Sequence, residues 1–315
     1  MDTTATRKST VTTILGLPML AACLLGALGV IGPGCGKTTD HTATDGQTRR
    51  LVSVAPALTA IVVDLGAADE LVGVTRHCAL PAGPKTPPAI IGDFRPVPER
   101  VLAARPTHVL MAAYATQAHE REGLEALGLP VKTFDLVTLT DLSNTVRELG
   151  VLLGRQGQAE ALNTALETAK TRLGACFGPH DGPRRPSYAL IYGTEPGFVY
   201  TTGGGDHISE LLDLTGATNA LSSYPRTARI GLERVLEARP ELILYVAPSE
   251  EIPDAGAAVA SWARWAEVPA VKNGAVRVWP DDRLARNGTH LAGLIPDLCA
   301  LVRTAVLSPG AEPSR

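Results

Sequence analysis

The chain has 315 residues and a formal net charge of −3, and aromatic residues make up 4% of it. A nearly balanced charge without a basic patch argues against a nucleic-acid-binding protein. About 265 residues follow the N-terminal region, which is enough for one large domain or two small ones.

Residues 1–35 are predicted to form an export or lipoprotein signal, or an anchor. Arg7 and Lys8 precede an apolar run, Ile14 to Ile31, that contains no charged residue. Such a pattern is typical of an export signal, and the run is also near the lower length limit for a membrane span. Cys23 follows Leu-Ala-Ala, which resembles a bacterial lipobox, whereas Cys35 has the better position at the end of the run. We favour lipidation at Cys23, with Cys35 and an uncleaved anchor helix as alternatives.

All three alternatives place the rest of the chain outside the cytoplasm, on the periplasmic or outer cell-surface side, with a membrane-anchored lipoprotein favoured. The stretch GPGCGKTT at residues 32–39 looks like a phosphate-binding loop. However, the spacing of that loop requires a glycine where this chain has Ile31. The stretch therefore does not predict nucleotide binding, and residues 36–49 are predicted to be a flexible tether.

Residues 50–138 alternate between short apolar runs and helical patterns, which predicts a parallel sheet with helical crossovers. The predicted strands are residues 51–54, 71–74, 107–113 and 131–136, and the predicted helices are residues 57–68, 98–106 and 119–128. Residues 139–178 contain no strand pattern and are predicted to be a helical connector. Unbroken, a helix of about 35 residues would span roughly 50 Å.

Residues 179–309 return to alternation and predict a second α/β lobe, followed by a tail at 310–315. The predicted strands are residues 187–193, 241–247 and 275–279; the predicted helices are residues 207–217, 233–240, 262–271 and 290–307, the last interrupted near Pro296.

An internal repeat relates the two lobes. The octapeptide ERVLAARP at residues 99–106 and ERVLEARP at residues 233–240 share seven of eight residues, and an apolar strand follows each. Two similar lobes joined by a connector leave a cleft between them, and clefts at domain interfaces favour ligand sites.

These motifs, together with TTGGGDHISELLDLTGATNAL and WAEVPAVKNGAVRVWPDD, resemble the substrate-binding proteins of ABC importers for cobalamin and ferric siderophores. The resemblance extends from Arg50 to Leu307. It implies an α/β fold of two Rossmann-like lobes with parallel sheets, a long α-helical connector and a ligand cleft between the lobes. It also implies no intrinsic cofactor, a cobalt corrinoid or ferric siderophore as ligand, and an ABC permease dimer with separate ATPase subunits as partner. In that family one glutamate on each lobe docks onto permease arginines, and Glu99 and Glu233 occupy the matching positions.

Ligand contacts are expected in the loops that follow the strands. The candidates are Arg76, His77, Leu80, Asp93, Phe94, Tyr114, Tyr192, Tyr200, Trp279, Arg283 and Arg286. Aromatic side chains suit a flat chelate or corrin ring, and arginines suit ligand carboxylates or phosphates. Gly203 to Gly205 is interpreted as a tight turn, with an anion site as the alternative.

Other functions receive less support from the sequence. Haem, zinc or manganese binding is an alternative on the same fold, but no spacing supports a set of His77, His207 and Asp281, so no metal site is predicted. The chain contains neither G-x-S-x-G nor H-E-x-x-H, and it is not predicted to be an enzyme. A surface scavenger without a permease is a further alternative.

Two further expectations concern cysteines and motion. Cys78, Cys176 and Cys299 follow the tether; at most one internal disulfide can form, and the sequence does not say which cysteines pair. One continuous helix between the lobes predicts only modest lobe motion.

Overall fold

The computed structural model describes residues 49–80, 88–114, 118–177, 185–246 and 254–307. The predicted signal, the lipidation candidates Cys23 and Cys35, the tether apart from Arg49, and the tail lie outside the described residues. Within these five ranges, no helix is both long enough and apolar enough to cross a membrane. Both lobes and the connector belong to one compact unit.

The first lobe contains a five-stranded sheet in which all strands are parallel, in the order β3-β2-β1-β4-β5. The strands are β1 (Leu51–Ser53), β2 (Leu71–Thr75), β3 (Ala89–Gly92), β4 (His108–Ala112) and β5 (Val131–Phe134). The helices are α1 (Pro56–Asp64), α2 (Pro98–Ala103) and α3 (Ala118–Ala126). Pro56 and Pro98 each stand in the first turn of their helix, where the missing N–H costs no hydrogen bond. The parallel sheet was predicted from the sequence, although β3 was not.

The connector consists of α4 (Leu139–Leu153) and α5 (Gln156–Gly174). Thr138 and Asp141 form a reciprocal capping box at the start of α4, and Gly154 ends the helix in the left-handed conformation with φ of 66°. The side chain of Asn163 donates to the carbonyl of Ser143 at 3.2 Å, so α5 folds back along α4. The connector is therefore a helical hairpin and not one continuous helix, because the glycine turns the chain at residue 154.

The second lobe contains a mixed sheet in the order β11-β10-β6-β7-β9, with β8 paired to β6. The strands are β6 (Ser187–Glu195), β7 (Phe198–Thr201), β8 (Thr218–Asn219), β9 (Ala228–Gly231), β10 (Leu242–Tyr245) and β11 (Val276–Val278). The helices are α6 (His207–Leu214), α7 (Leu232–Ala238), α8 (Ala255–Trp262), α9 (Pro269–Lys272) and α10 (Leu291–Leu307).

This second sheet differs from the all-parallel prediction because β7 runs antiparallel to both β6 and β9. Only Pro196 and Gly197 separate β6 from β7, and Gly197 has a φ of 79°. A two-residue connection can join only antiparallel strands. The expected interruption of the last helix is also absent, since α10 continues through Pro296.

Alternate residues of β4 face two hydrophobic cores. Leu110 and Ala112 belong to the main core, which also contains residues of α1, the connector and the second lobe. Val109 and Met111 belong to a smaller core on the other face of the first sheet. This two-residue period follows from the alternation of side chains along a strand.

A disulfide joins Cys176, just after α5, to Cys299 in α10, and Cys78 is a free thiol. The guanidinium of Arg303 also donates to the carbonyl of Cys176 at 2.6 Å. The end of the connector is thus fastened to the last helix of the second lobe. Structural disulfides persist mainly in oxidising, extracytoplasmic compartments.

Candidate ligand-binding site

A cavity of about 360 Å³ lies between the two lobes. Tyr114 and Leu136, which follow β4 and β5, line it from the first lobe, and Tyr192 in β6 lines it from the second. The cavity therefore lies where the carboxyl ends of strands from both sheets meet, as expected for ligand sites of parallel α/β folds.

Asp206 organises the wall on the side of the second lobe. Its Oδ1 accepts hydrogen bonds from the backbone N–H groups of Ile208 (3.0 Å) and Ser209 (2.9 Å), which caps the start of α6. Its Oδ2 accepts from the hydroxyls of Thr202 (2.7 Å) and Tyr192 (3.2 Å). Burial, and then the Asp206 charge, raise the pKa of the Tyr192 phenol well above its ordinary value. Tyr192 is consequently a fixed, protonated part of the cavity wall.

His207 lines the cavity but is held in the neutral form. Its side chain is 8% exposed, and its Nε2 lies 3.0 Å from the carbonyl oxygen of Leu284, to which it donates. Burial lowers the pKa of the imidazole. In the part of the chain that the structure describes, no group of three or more histidine, cysteine, aspartate or glutamate side chains is arranged to hold a metal ion. The set of His77, His207 and Asp281 is thus not brought together.

The base of the cavity is fastened to residues 136–139, where the first lobe passes into the connector. Asn287, which is 4% exposed, donates from Nδ2 to the carbonyls of Leu136 (3.1 Å) and Thr138 (2.9 Å). The backbone N–H of His207 donates to the carbonyl of Val137 (2.9 Å). The Glu210 carboxylate also accepts from the N–H of Leu139 (2.7 Å). We call Asn287, His207 and Glu210 the interlobe clasp.

Four predicted contacts of the first lobe cluster after β2 and β3, at the same sheet edge as Tyr114. The His77 ring stacks on Phe94 with centroids 4.0 Å apart, and its Nε2 lies 3.0 Å from Asp93. Arg76 lies 3.4 Å from the same carboxylate. Phe94 is 70% exposed and Tyr114 is 57% exposed, which leaves two aromatic faces open at this edge.

The remaining predicted contacts occupy other places. Trp279 is 2% exposed and belongs to the hydrophobic core, so its assignment to the cleft is corrected; Leu80 is partly buried against the same core. Tyr200 donates to Glu195 at 2.5 Å on the sheet formed by β6, β7 and β9. Arg283 is paired with Asp281 (2.7 Å), and Arg286 with Asp282 (2.8 Å).

Of the residues predicted to contact a ligand, the structure brings Tyr114 and Tyr192 together around the cavity. The sequence did not identify Asp206, Arg226 or Asn287 as lining residues. Asp206 stands just before a helical pattern, which signals a helix cap rather than a cavity wall. Arg226 and Asn287 lie outside the predicted elements, and no local pattern marks them.

The two glutamates of the repeat have matching surroundings. Glu99 and Glu233 are exposed and lie in the first turn of α2 and α7. In each octapeptide the arginine before the final proline has a positive φ, which is 45° for Arg105 and 48° for Arg239. Among the described residues other than glycine, these two alone have positive φ. The repeat therefore extends from the sequence to the backbone conformation.

Comparison with known proteins agrees with this architecture. The chain is 23% identical over 266 residues to a vitamin B12-binding protein of Vibrio campbellii, covering 83% of this chain and 92% of that protein. It is also 23% identical over 255 residues to an uncharacterized ABC transporter substrate-binding lipoprotein, YvrC, of Bacillus subtilis, covering 80% and 79% of the two chains. A crystal structure of a periplasmic heme binding protein from Pseudomonas aeruginosa superposes with a TM-score of 0.68 at 25% identity, covering 85% of this chain and 95% of that one.

The sequence model of the family described as "Periplasmic binding protein" matches residues 51–283. The match spans the first lobe, the connector and most of the second lobe. The α/β fold with two lobes, predicted from the sequence, is confirmed. The chain belongs to the periplasmic binding protein family.

Proposed function

We propose that this chain is the extracytoplasmic substrate-binding component of an ABC importer and has no catalytic activity of its own. The observation that carries this proposal is the cavity between the lobes, at the carboxyl ends of both sheets, in a member of the periplasmic binding protein family. A binding protein of this kind captures its ligand between the lobes and releases it to a permease.

The proposed ligand is a bulky metal chelate, either a cobalamin or another corrinoid, or a ferric siderophore. The vitamin B12-binding relative supports the first. A cavity of about 360 Å³ is at the small end of ligand pockets and holds only part of such a chelate. The rest is expected to lie over the exposed faces of Tyr114 and Phe94, which offer a large contact area with little rotamer entropy to lose.

Haem is the second candidate ligand, and the likeness to the heme binding protein of P. aeruginosa favours it. The exposed phenol of Tyr114 is the candidate axial ligand, because the Tyr192 phenol is already engaged with Asp206. An intense Soret band after addition of haemin, lost in Tyr114→Phe, would support haem over a corrinoid.

The proposed partner is a two-fold symmetric permease with separate ATPase subunits. Glu99 and Glu233 supply two equivalent charges on two equivalent helices, which suits a two-fold receptor. Charge-assisted pairs of this kind fix orientation and register more than they add affinity. The B. subtilis relative is described as a lipoprotein, which supports a lipid anchor; we place it at Cys23, with Cys35 as the alternative.

The test separates binding from delivery. The double variant Glu99→Lys/Glu233→Lys reverses both docking charges, and Glu122→Lys/Glu160→Lys is the matched control, because both control residues are exposed. Uptake of labelled chelate by cells and binding by purified protein are measured for each. We expect the docking variant to lose uptake while keeping binding, and the control to keep both. Normal uptake by the docking variant would refute docking and favour a scavenger that acts without a permease.

A further inference from the structure

Four side chains that line the cavity carry a charge, an imidazole or an amide, and all but one of these are already engaged within the protein. The Asp206 carboxylate accepts four hydrogen bonds, one of them from Tyr192. His207 donates to the carbonyl of Leu284, and the Asn287 amide donates to two carbonyls of residues 136–139. These groups shape the cavity, but the hydrogen bonds that they make are to other groups in its wall.

Arg226 is the exception. Its side chain is exposed and lines the cavity. Across the five described ranges, no residue accepts a hydrogen bond from its guanidinium or lies within ion-pair distance of it. Burial raises the pKa of Asp141, but hydrogen bonds from Thr138 and Val137 lower it below its ordinary value, and the Arg226 charge adds the smallest contribution to that lowering. That carboxylate already accepts hydrogen bonds from the N–H groups of Thr138 (2.8 Å) and Val137 (3.2 Å).

The three arginines that the sequence predicts as ligand contacts differ from Arg226 because each forms an ion pair with a carboxylate. Arg76, Arg283 and Arg286 are each paired with an aspartate, at 3.4, 2.7 and 2.8 Å. Their charges are offset within the protein, and a ligand anion would have to compete with the aspartate. The five N–H donors of Arg226 remain available to a ligand in the cavity.

We infer that Arg226 recognises an anionic group of the ligand, so that the chelate carries a carboxylate or a phosphate on the side that enters the cavity. This inference rests on the proposed function and narrows its substrate class. A guanidinium presents two parallel N–H donors that match either group, and a charge-assisted pair in a partly enclosed cavity is stronger than one in open water. The aromatic side chains contact the chelate ring, and Arg226 favours chelates that carry an anionic group over uncharged ones.

The experiment compares three matched pairs of probes by fluorescence titration of the full-length protein. Haemin and its dimethyl ester differ in two carboxylates. Cyanocobalamin and dicyanocobinamide differ in the nucleotide loop that carries the phosphate. A carboxylate-bearing ferric siderophore and ferrioxamine B differ in free carboxylates. The pair in which the wild type prefers the anionic member identifies the anion as carboxylate or phosphate.

The variants are Arg226→Gln, Arg226→Lys and the control Arg172→Gln, an exposed arginine on α5 that does not line the cavity. Arg226→Gln is expected to weaken binding of the anionic member roughly ten- to a hundredfold and to leave the uncharged member unchanged. Arg226→Lys, which keeps the charge but not the two parallel donors, should be intermediate. Arg172→Gln should bind like the wild type. The thermal midpoint of Arg226→Gln should match that of the wild type, because its guanidinium makes no hydrogen bond with a described residue.

Two results would overturn the inference while leaving the proposed function intact. One is an equal affinity of Arg226→Gln and the wild type for the anionic member. The other is a wild-type preference for the uncharged members. If the wild type binds no chelate in any pair, both the inference and the proposed function are refuted.

Discussion

Removing the disulfide between Cys176 and Cys299 should strongly destabilise the protein. The two cysteines are 123 residues apart in the sequence. Closing a loop of that length removes chain entropy from the unfolded state equivalent to about 5 kcal/mol at 25 °C, and measured losses on deleting native disulfides are about 2–5 kcal/mol. Folded domains are typically stable by about 5–15 kcal/mol, so the disulfide supplies a substantial part of that stability. We expect Cys176→Ala/Cys299→Ala to lower the free energy of unfolding by about 2–5 kcal/mol.

Urea unfolding of the double variant, the wild type and the wild type in reductant measures this loss. The reduced wild type should lose about as much stability as the variant, since both lack the cross-link. Peptide mapping without reduction should recover the peptides of Cys176 and Cys299 joined and Cys78 alkylated. A double variant as stable as the wild type, or Cys78 recovered in a disulfide, would refute this reasoning.

Two further predictions concern the interlobe clasp. Asn287→Ala removes the hydrogen bonds to the carbonyls of Leu136 and Thr138, of which the second still accepts from the N–H of Leu142. The substitution should cost about 1–3 kcal/mol of stability and accelerate amide hydrogen exchange at the start of α4; unchanged exchange there would contradict a role in holding the lobes. Because burial lowers the pKa of His207, the unfolded state takes up a proton below pH 6.5 while the folded state does not. The stability that neutral His207 contributes is therefore complete above pH 6.5 and is lost as the pH falls from there toward its folded pKa. His207→Gln should flatten this part of the stability-against-pH curve, and an unchanged slope would exclude His207 as its source.

The fold was accessible from the sequence because its signals are local or repeated. Buried parallel strands are nearly continuous apolar runs, and the helices between them show a period of about 3.6 residues, so pattern alone predicted the parallel sheet of the first lobe apart from β3. The repeated octapeptide predicted two related lobes, and both copies share a positive-φ arginine before proline. Two of the errors arose where a short turn decided the outcome. Gly197 reverses the chain between β6 and β7, and Gly154 folds the connector into a hairpin.

The site was less accessible because its residues come together only through tertiary structure. The sequence predicted Tyr114 and Tyr192, which line the cavity, because they follow an apolar run or lie near its end. Trp279 follows a strand as well, yet its side chain packs into the core, and the sequence does not report which way a side chain points. Arg226 lies in a loop without a pattern, and the sequence does not report that its guanidinium has no hydrogen-bond partner among the described residues.

Chelate binding between the lobes is tested most directly by native mass spectrometry of the protein purified from its own cells, repeated after incubation with cobalamin, haemin and ferric siderophores. We predict one metal chelate per chain, and we predict that the chelate protects the residues around Tyr114 and Tyr192 from hydrogen exchange. A protein that carries no chelate from the cell and takes up none from the panel would contradict this prediction. So would a chelate that binds without protecting either tyrosine region.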